Sequence, residues 1–134
     1  MSQKSRHVRQ VTLDETWSSS EHSEICCLLC ATQNGWKLPI LFEEMGVPYD
    51  WALVDFEKSE QRSEGFLSIN PNGRIPALID RARGVTVAES AAILEYSAAR
   101  FASPLLPPAD EDLQLHLQTK QWLHWQVSAL GPSM

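Results

Sequence analysis

Hydrophobic and polar positions divide this chain into segments of different period. Ile25 to Ala31 is a continuous apolar run, short enough for a strand buried on both faces. Thr32-Gln33-Asn34-Gly35 interrupts it, with Asn34 as the expected N-cap. A helix is predicted over Lys37 to Met45, with Pro39 in its first turn and Gly46 as its stop. Tyr49 to Phe56 alternates as a second strand. Glu57 to Asn70 is polar, with Phe66, Leu67 and Ile69 turned inward in a short irregular helix. Ile75 to Ile79 reads as a third strand, Arg81 to Gly84 as a turn, and Val85 to Ala88 as a fourth strand. So short a turn makes the last two strands an antiparallel hairpin. Ser90 then caps a helix to about Phe101, with Ala92, Ile93, Tyr96 and Ala99 on one face.

The element order is β-α-β-α-β-β-α. This is an α/β pattern that resembles a thioredoxin-like mixed sheet, parallel in its first half and antiparallel in its second. Residues 25–102 form that domain. Residues 1–24 are polar, carry Ser18-Ser19-Ser20, and show no period, so they read as a mobile tail. Trp17 is the misfit there, with a place against the body as the expectation. Residues 103–110 carry Pro104, Pro107 and Pro108 and read as a linker. Residues 111–134 then supply the first helix of an all-α region, running from Glu111 to Leu130. Its Leu113, Leu115, Leu117, Trp122, Leu123, Trp125, Val127 and Leu130 spread around the circumference, and such a helix expects partners on several sides.

Composition narrows the function. The chain has 134 residues, 43% of them hydrophobic, which suits one domain or one domain plus part of another. Its 11 basic and 17 acidic residues give a net charge of −6, which disfavours nucleic acid or an anionic membrane as partner. No window of about 18 apolar residues exists to span a bilayer. Lys4, Arg6 and Arg9 are not followed by an apolar segment, so a secretory signal is not expected, and Asp14, Glu15, Glu21 and Glu24 disfavour a mitochondrial presequence. The three cysteines all fall within Cys26 to Cys30, which is no disulfide framework, and a cytoplasmic, reducing setting is the default.

Two short motifs carry candidate chemistry. In Asn70-Pro71-Asn72-Gly73-Arg74-Ile75-Pro76, a proline that opens the third strand of a thioredoxin-like sheet is usually cis. Such a bond would turn the N–H and C=O of Ile75 outward, to pair with an extended peptide as an added rung of sheet. The same prolines serve equally as plain turn residues around Asn72-Gly73. In Ala88-Glu89-Ser90, a strand meets a helix N-terminus, where free amides and the Ser90 hydroxyl favour an anion and Glu89 can hold an ammonium. An ordinary serine cap with an acidic neighbour is the simpler reading of that motif alone. Together the two describe a receptor for a small peptide with a free amino-acid end. Cys27-Leu28-Leu29-Cys30 has redox-motif spacing, but both thiols precede the helix, and residues three apart on a strand face opposite ways. No metal site is expected: His116 and His124 lie eight apart on one helix, with no cysteine near either.

The segments TQNGWKLPILFEEMGVPYDWALVDF, FLSINPNGRIPALID and ESAAILEY, in this order and spacing, resemble the N-terminal domain of the glutathione S-transferase superfamily. The likeness covers about Ile25 to Phe101 and continues into the first helix of the C-terminal domain. Within the superfamily the chain is most similar to the Nu-class disulfide-reducing enzymes of bacteria and the fungal nitrogen-repressor-type transferases, down to the ending WQVSALGP. The resemblance implies glutathione as co-substrate, with no further cofactor. Ile75, before a cis Pro76, would pair its backbone with the cysteinyl unit. Glu89 and Ser90 would hold the γ-glutamyl ammonium and carboxylate, and Gln61 would approach the glycyl end. Asn34 and Thr32 would sit beside the sulfur as the catalytic pair.

A free thiol titrates near 8.5 and attacks only as thiolate, so those two donors and the helix end would have to favour the anion. On position alone, Asn34 serves as a cap. The family's usual proline between Thr and Asn is Gln33 here, and Ala91 stands where relatives usually have glycine. The implied reaction is conjugation of glutathione to a small electrophile, in detoxification or secondary metabolism, or reduction of a disulfide or peroxide. A non-catalytic glutathione-binding or regulatory module is the alternative. Relatives continue with further helices that wall the second-substrate site and build much of the homodimer interface. This chain reads as ending after the first of them, as a truncated C-terminal domain.

Overall fold

The computed structural model describes residues 8–17 and 22–133. The strands among them are β1 (Val8–Val11), β2 (Ile25–Leu29), β3 (Tyr49–Leu53), β4 (Ala77–Asp80) and β5 (Val85–Ala88). They form one sheet in the order β1-β3-β2-β4-β5. β1 and β2 run parallel to β3, while β4 is antiparallel to both β2 and β5. Among the described residues, four α-helices accompany them: α1 (Gln33–Met45), α2 (Glu64–Ile69), α3 (Ser90–Arg100) and α4 (Leu113–Trp125). This is the thioredoxin-like arrangement.

Central β2 explains its own composition. Ile25, Cys27 and Leu29 face the layer built by Leu38 and Phe42 of α1 and Ile93 of α3. Cys26 and Leu28 face the other layer, with Phe66 and Ile69 of α2. A strand covered on both faces has no polar position to alternate with. Phe42 anchors the first layer, stacked 5.5 Å from the Tyr49 ring and edge-on to Phe101 at 6.3 Å. Burying a side chain of this kind contributes about 1.5–3 kcal/mol.

Part of the stretch 1–24 is ordered against the sheet and is no mobile tail. Val8–Val11 adds an edge strand to β3, and Leu13 packs against the α2-side core. Thr16 is buried, whereas Trp17, expected against the body, is 48% exposed. The remainder of that expected tail, residues 1–7 and 18–21, lies outside the described residues. Long-range contacts hold the segment, and nothing local in its sequence announces them. The Arg81 Nε donates to the Thr16 carbonyl at 2.6 Å, and its Nη1 reaches the Ser23 carbonyl and Asp50 Oδ2, each at 2.6 Å. Asp50 and the Arg81 side chain are both buried, so the ion pair is shielded from water.

Other boundaries shift for local reasons. α1 begins at Gln33 because Thr32, not Asn34, is the N-cap: its Oγ1 accepts from the Gly35 N–H at 3.2 Å. Pro39 therefore lies inside α1 rather than in its first turn, and it leaves the Gly35 carbonyl without the usual helical donor. β3 stops at Leu53, before Phe56, and β4 starts at Ala77 rather than Ile75. The cap of α3 is Glu89, and Ser90 is its first helical residue. The buried face of α3 carries Ser90, Ile93, Ser97 and Ala98, whereas Ala92 and Ala99 are exposed.

α4 continues through a π-type turn at Gln126–Leu130. It docks on α3 through Glu95, whose carboxylate lies 3.3 Å from Lys120 Nζ and 3.4 Å from His124 Nε2. Leu113, Leu117 and Trp122 are more than half exposed, at 58%, 52% and 60%. Among the described residues, no helix is long and apolar enough to cross a membrane.

Candidate functional site

Strand register assembles the site. Ala77 lies opposite both Leu28 and Ala88. The residues just beyond those pairs therefore share one edge of the sheet: Leu29 leading to Thr32, Ile75-Pro76 before β4, and Glu89-Ser90 after β5. The Ile75–Pro76 bond is cis. The turn that delivers it is organised by the buried Asn70. Its Nδ2 donates to the Arg74 carbonyl at 2.7 Å, and its Oδ1 accepts from the Asn72 N–H at 3.1 Å. Gly73 closes this turn at φ +61°, where a Cβ would also stand 3.1 Å from the Gln61 carbonyl.

A cleft of about 240 Å³ opens at this edge. Gln33, Asn34 and Lys37 of α1 line one side, Glu89 and Ser90 another, and Val127, Gly131 and Pro132 the third. Of the residues singled out from the sequence, the structure brings Asn34, Glu89 and Ser90 together here. Thr32 caps α1 beside the cleft without lining it. Ile75 packs against the α2-side core, and Gln61 lies against the Asn70–Gly73 turn, so neither lines this cleft.

Asn34 reaches the cleft because α1 starts so close to the sheet. Gly35 sits directly on the Cys30 carbonyl, where a side chain would collide with backbone. Glu89 is held at φ 70°, ψ 120°, a conformation unfavourable for any residue with a side chain. Strain of this kind, stored at a helix mouth facing a cleft, is typical of functional positions.

Lys37 is the residue that sequence reasoning missed. Its ammonium donates to Asn34 Oδ1 at 2.8 Å and to Ser90 Oγ at 3.3 Å. Burial lowers its pKa from the ordinary 10.5. The available signal was spacing: three residues after Asn34 on a helix, it had to share Asn34's face. The lining residues from the chain's last turns were missed too, because no local pattern ties them to α1.

The site offers donors and one carboxylate. Neither of the chain's two tyrosines is free to serve a thiol: Tyr96 donates to Asp80 Oδ2 at 2.7 Å and Tyr49 to Glu43 Oε1 at 3.3 Å. The two buried cysteines are no better placed. Burial pushes Cys26 up to about 12 and raises Cys27 well above its ordinary value. Cys27 packs in the α1–α3 core layer, away from any helix N-terminus.

The fold and the cleft thus define a thioredoxin-like domain with a polar, charge-bearing mouth at one sheet edge. Residues 34–100 match the family model described as glutathione S-transferase, N-terminal domain, and the chain belongs to this family. It is 34% identical over 99 residues to the glutathione S-transferase-like protein OpS6 of Beauveria bassiana, covering 74% of this chain and 44% of that protein. It is 36% identical over 104 residues to the transcriptional regulator URE2 of Saccharomyces cerevisiae, covering 74% of this chain and 29% of that one. The crystal structure of the glutathione transferase URE2P8 from Phanerochaete chrysosporium, solved with oxidized glutathione, superposes with TM-score 0.75 at 33% identity. The superposition covers 85% of this chain and 52% of that one. The chain therefore spans less than half of these curated relatives and about half of the solved one.

Proposed function

We propose that the cleft binds glutathione and that the chain uses it as a co-substrate. One observation carries the reading: strand register and α1 together place Asn34 across a single cleft from Glu89 and Ser90. In this pose the γ-glutamyl carboxylate accepts from the Ser90 hydroxyl and the first amides of α3, where the helix dipole favours an anion. The ammonium pairs with Glu89. The cysteinyl unit runs along Ile75, whose following cis Pro76 opens β4, and the glycyl end points toward Gln61.

The sulfur then falls at the start of α1. There the Asn34 amide donates to it. The Thr32 hydroxyl, which already accepts from Gly35, keeps its own proton to donate as well. Donors of this kind favour the thiolate, and each pKa unit of lowering corresponds to about 1.4 kcal/mol. The reaction is transfer of the thiolate sulfur to a small electrophile, or attack on a disulfide or peroxide. A cytoplasmic setting fits three free cysteines, and a homodimer is the assembly to look for.

The test is turnover. The purified chain is mixed with glutathione and either an aryl halide or a small mixed disulfide, beside an Asn34→Ala variant. Activity with one substrate class, reduced in the variant, supports the reading. A second reading, a non-catalytic glutathione-binding module, is favoured by the regulatory role in the URE2 relative's name. Binding without turnover of either substrate would select it.

A further inference from the structure

Lys37 sits between the two halves of the cleft. Its Nζ lies 2.8 Å from Asn34 Oδ1 on its own helix and 3.3 Å from Ser90 Oγ at the start of α3. An ammonium carries three donors and no acceptor, so only the carbonyl end of the Asn34 amide can face it. The NH₂ end is thereby turned the other way. An asparagine's terminal torsion is broad and roughly two-fold, so an unanchored amide samples both orientations. A thiolate can only accept, so one orientation stabilises it and the other opposes it with a carbonyl oxygen.

We propose that Lys37 is a positioning residue that locks the Asn34 amide with Nδ2, not Oδ1, toward the glutathione sulfur. The proposal rests on the glutathione reading above. It makes the Asn34 contribution conditional on a residue one turn away, and it couples that contribution to the γ-glutamyl end through Ser90. The remaining lining side chains, Gln33, Glu89 and Val127, include no second cation that could anchor the amide in Lys37's place.

The experiment measures the thiol pKa of bound glutathione, from thiolate ultraviolet absorbance against pH at saturating glutathione. It is run on the wild-type chain, Lys37→Met, Lys37→Gln, Asn34→Ala and the Lys37→Met/Asn34→Ala double variant, with urea unfolding to confirm that each is folded. Lys37→Met is expected to reduce the thiolate fraction roughly tenfold at pH below the thiol pKa, the worth of one charge-assisted hydrogen bond. Lys37→Gln, uncharged but still a donor to Oδ1, is expected to recover part of that loss. In the Asn34→Ala background, Lys37→Met is expected to change nothing further. An unchanged thiol pKa in Lys37→Met overturns the inference. So does a Lys37→Met shift of equal size with and without Asn34, because the ammonium would then be acting directly by its charge. A folded wild-type chain that binds no glutathione overturns the reading of the cleft, and this inference with it.

Discussion

Glu89 is where fold and function pull in opposite directions, and the conflict can be measured. Its backbone is held at φ 70°, ψ 120°. Conformations this sparsely populated cost about 1–3 kcal/mol in a residue with a Cβ. Glycine adopts them freely, but ordering it from the unfolded chain costs about 0.4–1 kcal/mol more. Glu89→Gly should therefore be more stable than the wild type by about 0.5–2 kcal/mol. Glu89→Ala keeps the strain and should show no such gain. Both variants lose the carboxylate proposed to hold the glutathione ammonium, so both should bind glutathione roughly tenfold to a hundredfold more weakly, as for loss of a charged hydrogen bond. The assay is urea unfolding paired with glutathione titration of the three proteins. Equal stability of the Gly and Ala variants would refute the strain argument. Undiminished affinity in both would refute the role of the carboxylate.

Three further outcomes follow from the packing. Arg81→Met takes the guanidinium from the buried Asp50, which keeps the Ser23 N–H and the His22 ring beside its Oδ2, and frees two backbone carbonyls, so it should cost about 3–5 kcal/mol in urea unfolding, and adding Asp50→Leu should recover much of that loss. Burial opposes ionisation of Asp80, but the Tyr96 hydroxyl, the Arg83 N–H and the Arg100 guanidinium outweigh it and hold its carboxyl below the ordinary 3.8. Asp80 thus contributes stability at pH above 3.8 that is lost as pH falls through the lower folded value; the stability gap between wild type and Asp80→Asn should shrink over that range in urea titrations. Cys26 and Cys27 should resist an alkylating reagent in the native chain at mildly alkaline pH and react on unfolding, because both are buried and burial raises both thiols.

The periodic middle of the chain was readable because its elements are local. The β4–β5 hairpin follows from one short turn, and β2 from an apolar run covered on both faces. What could not be read depends on distant partners. Val8–Val11 has no strand signature of its own and becomes a strand because β3 offers a free edge. Thr16 and Ser23 are each held by Arg81, 65 and 58 residues away along the chain. The α1 cap slipped by two residues because Thr32 and Asn34 are both good caps, and it is Thr32 whose Oγ1 accepts from the Gly35 N–H. In the site, Glu89 and Ser90 were read from the strand-to-helix motif together with the Ile75-Pro76 turn, and Asn34 only from the family resemblance, since its position alone reads as a cap. Lys37 carried a spacing signal, three residues after Asn34 on one helix face, but its bond to Ser90 exists only once α1 and α3 are side by side.

Calorimetric titration of the folded chain with glutathione, beside Ser90→Ala, tests the central claim most directly. Saturable binding, weakened about tenfold when the Ser90 hydroxyl is removed, is the predicted result. A folded chain that gives no binding heat, or a variant that binds as tightly as the wild type, would contradict it.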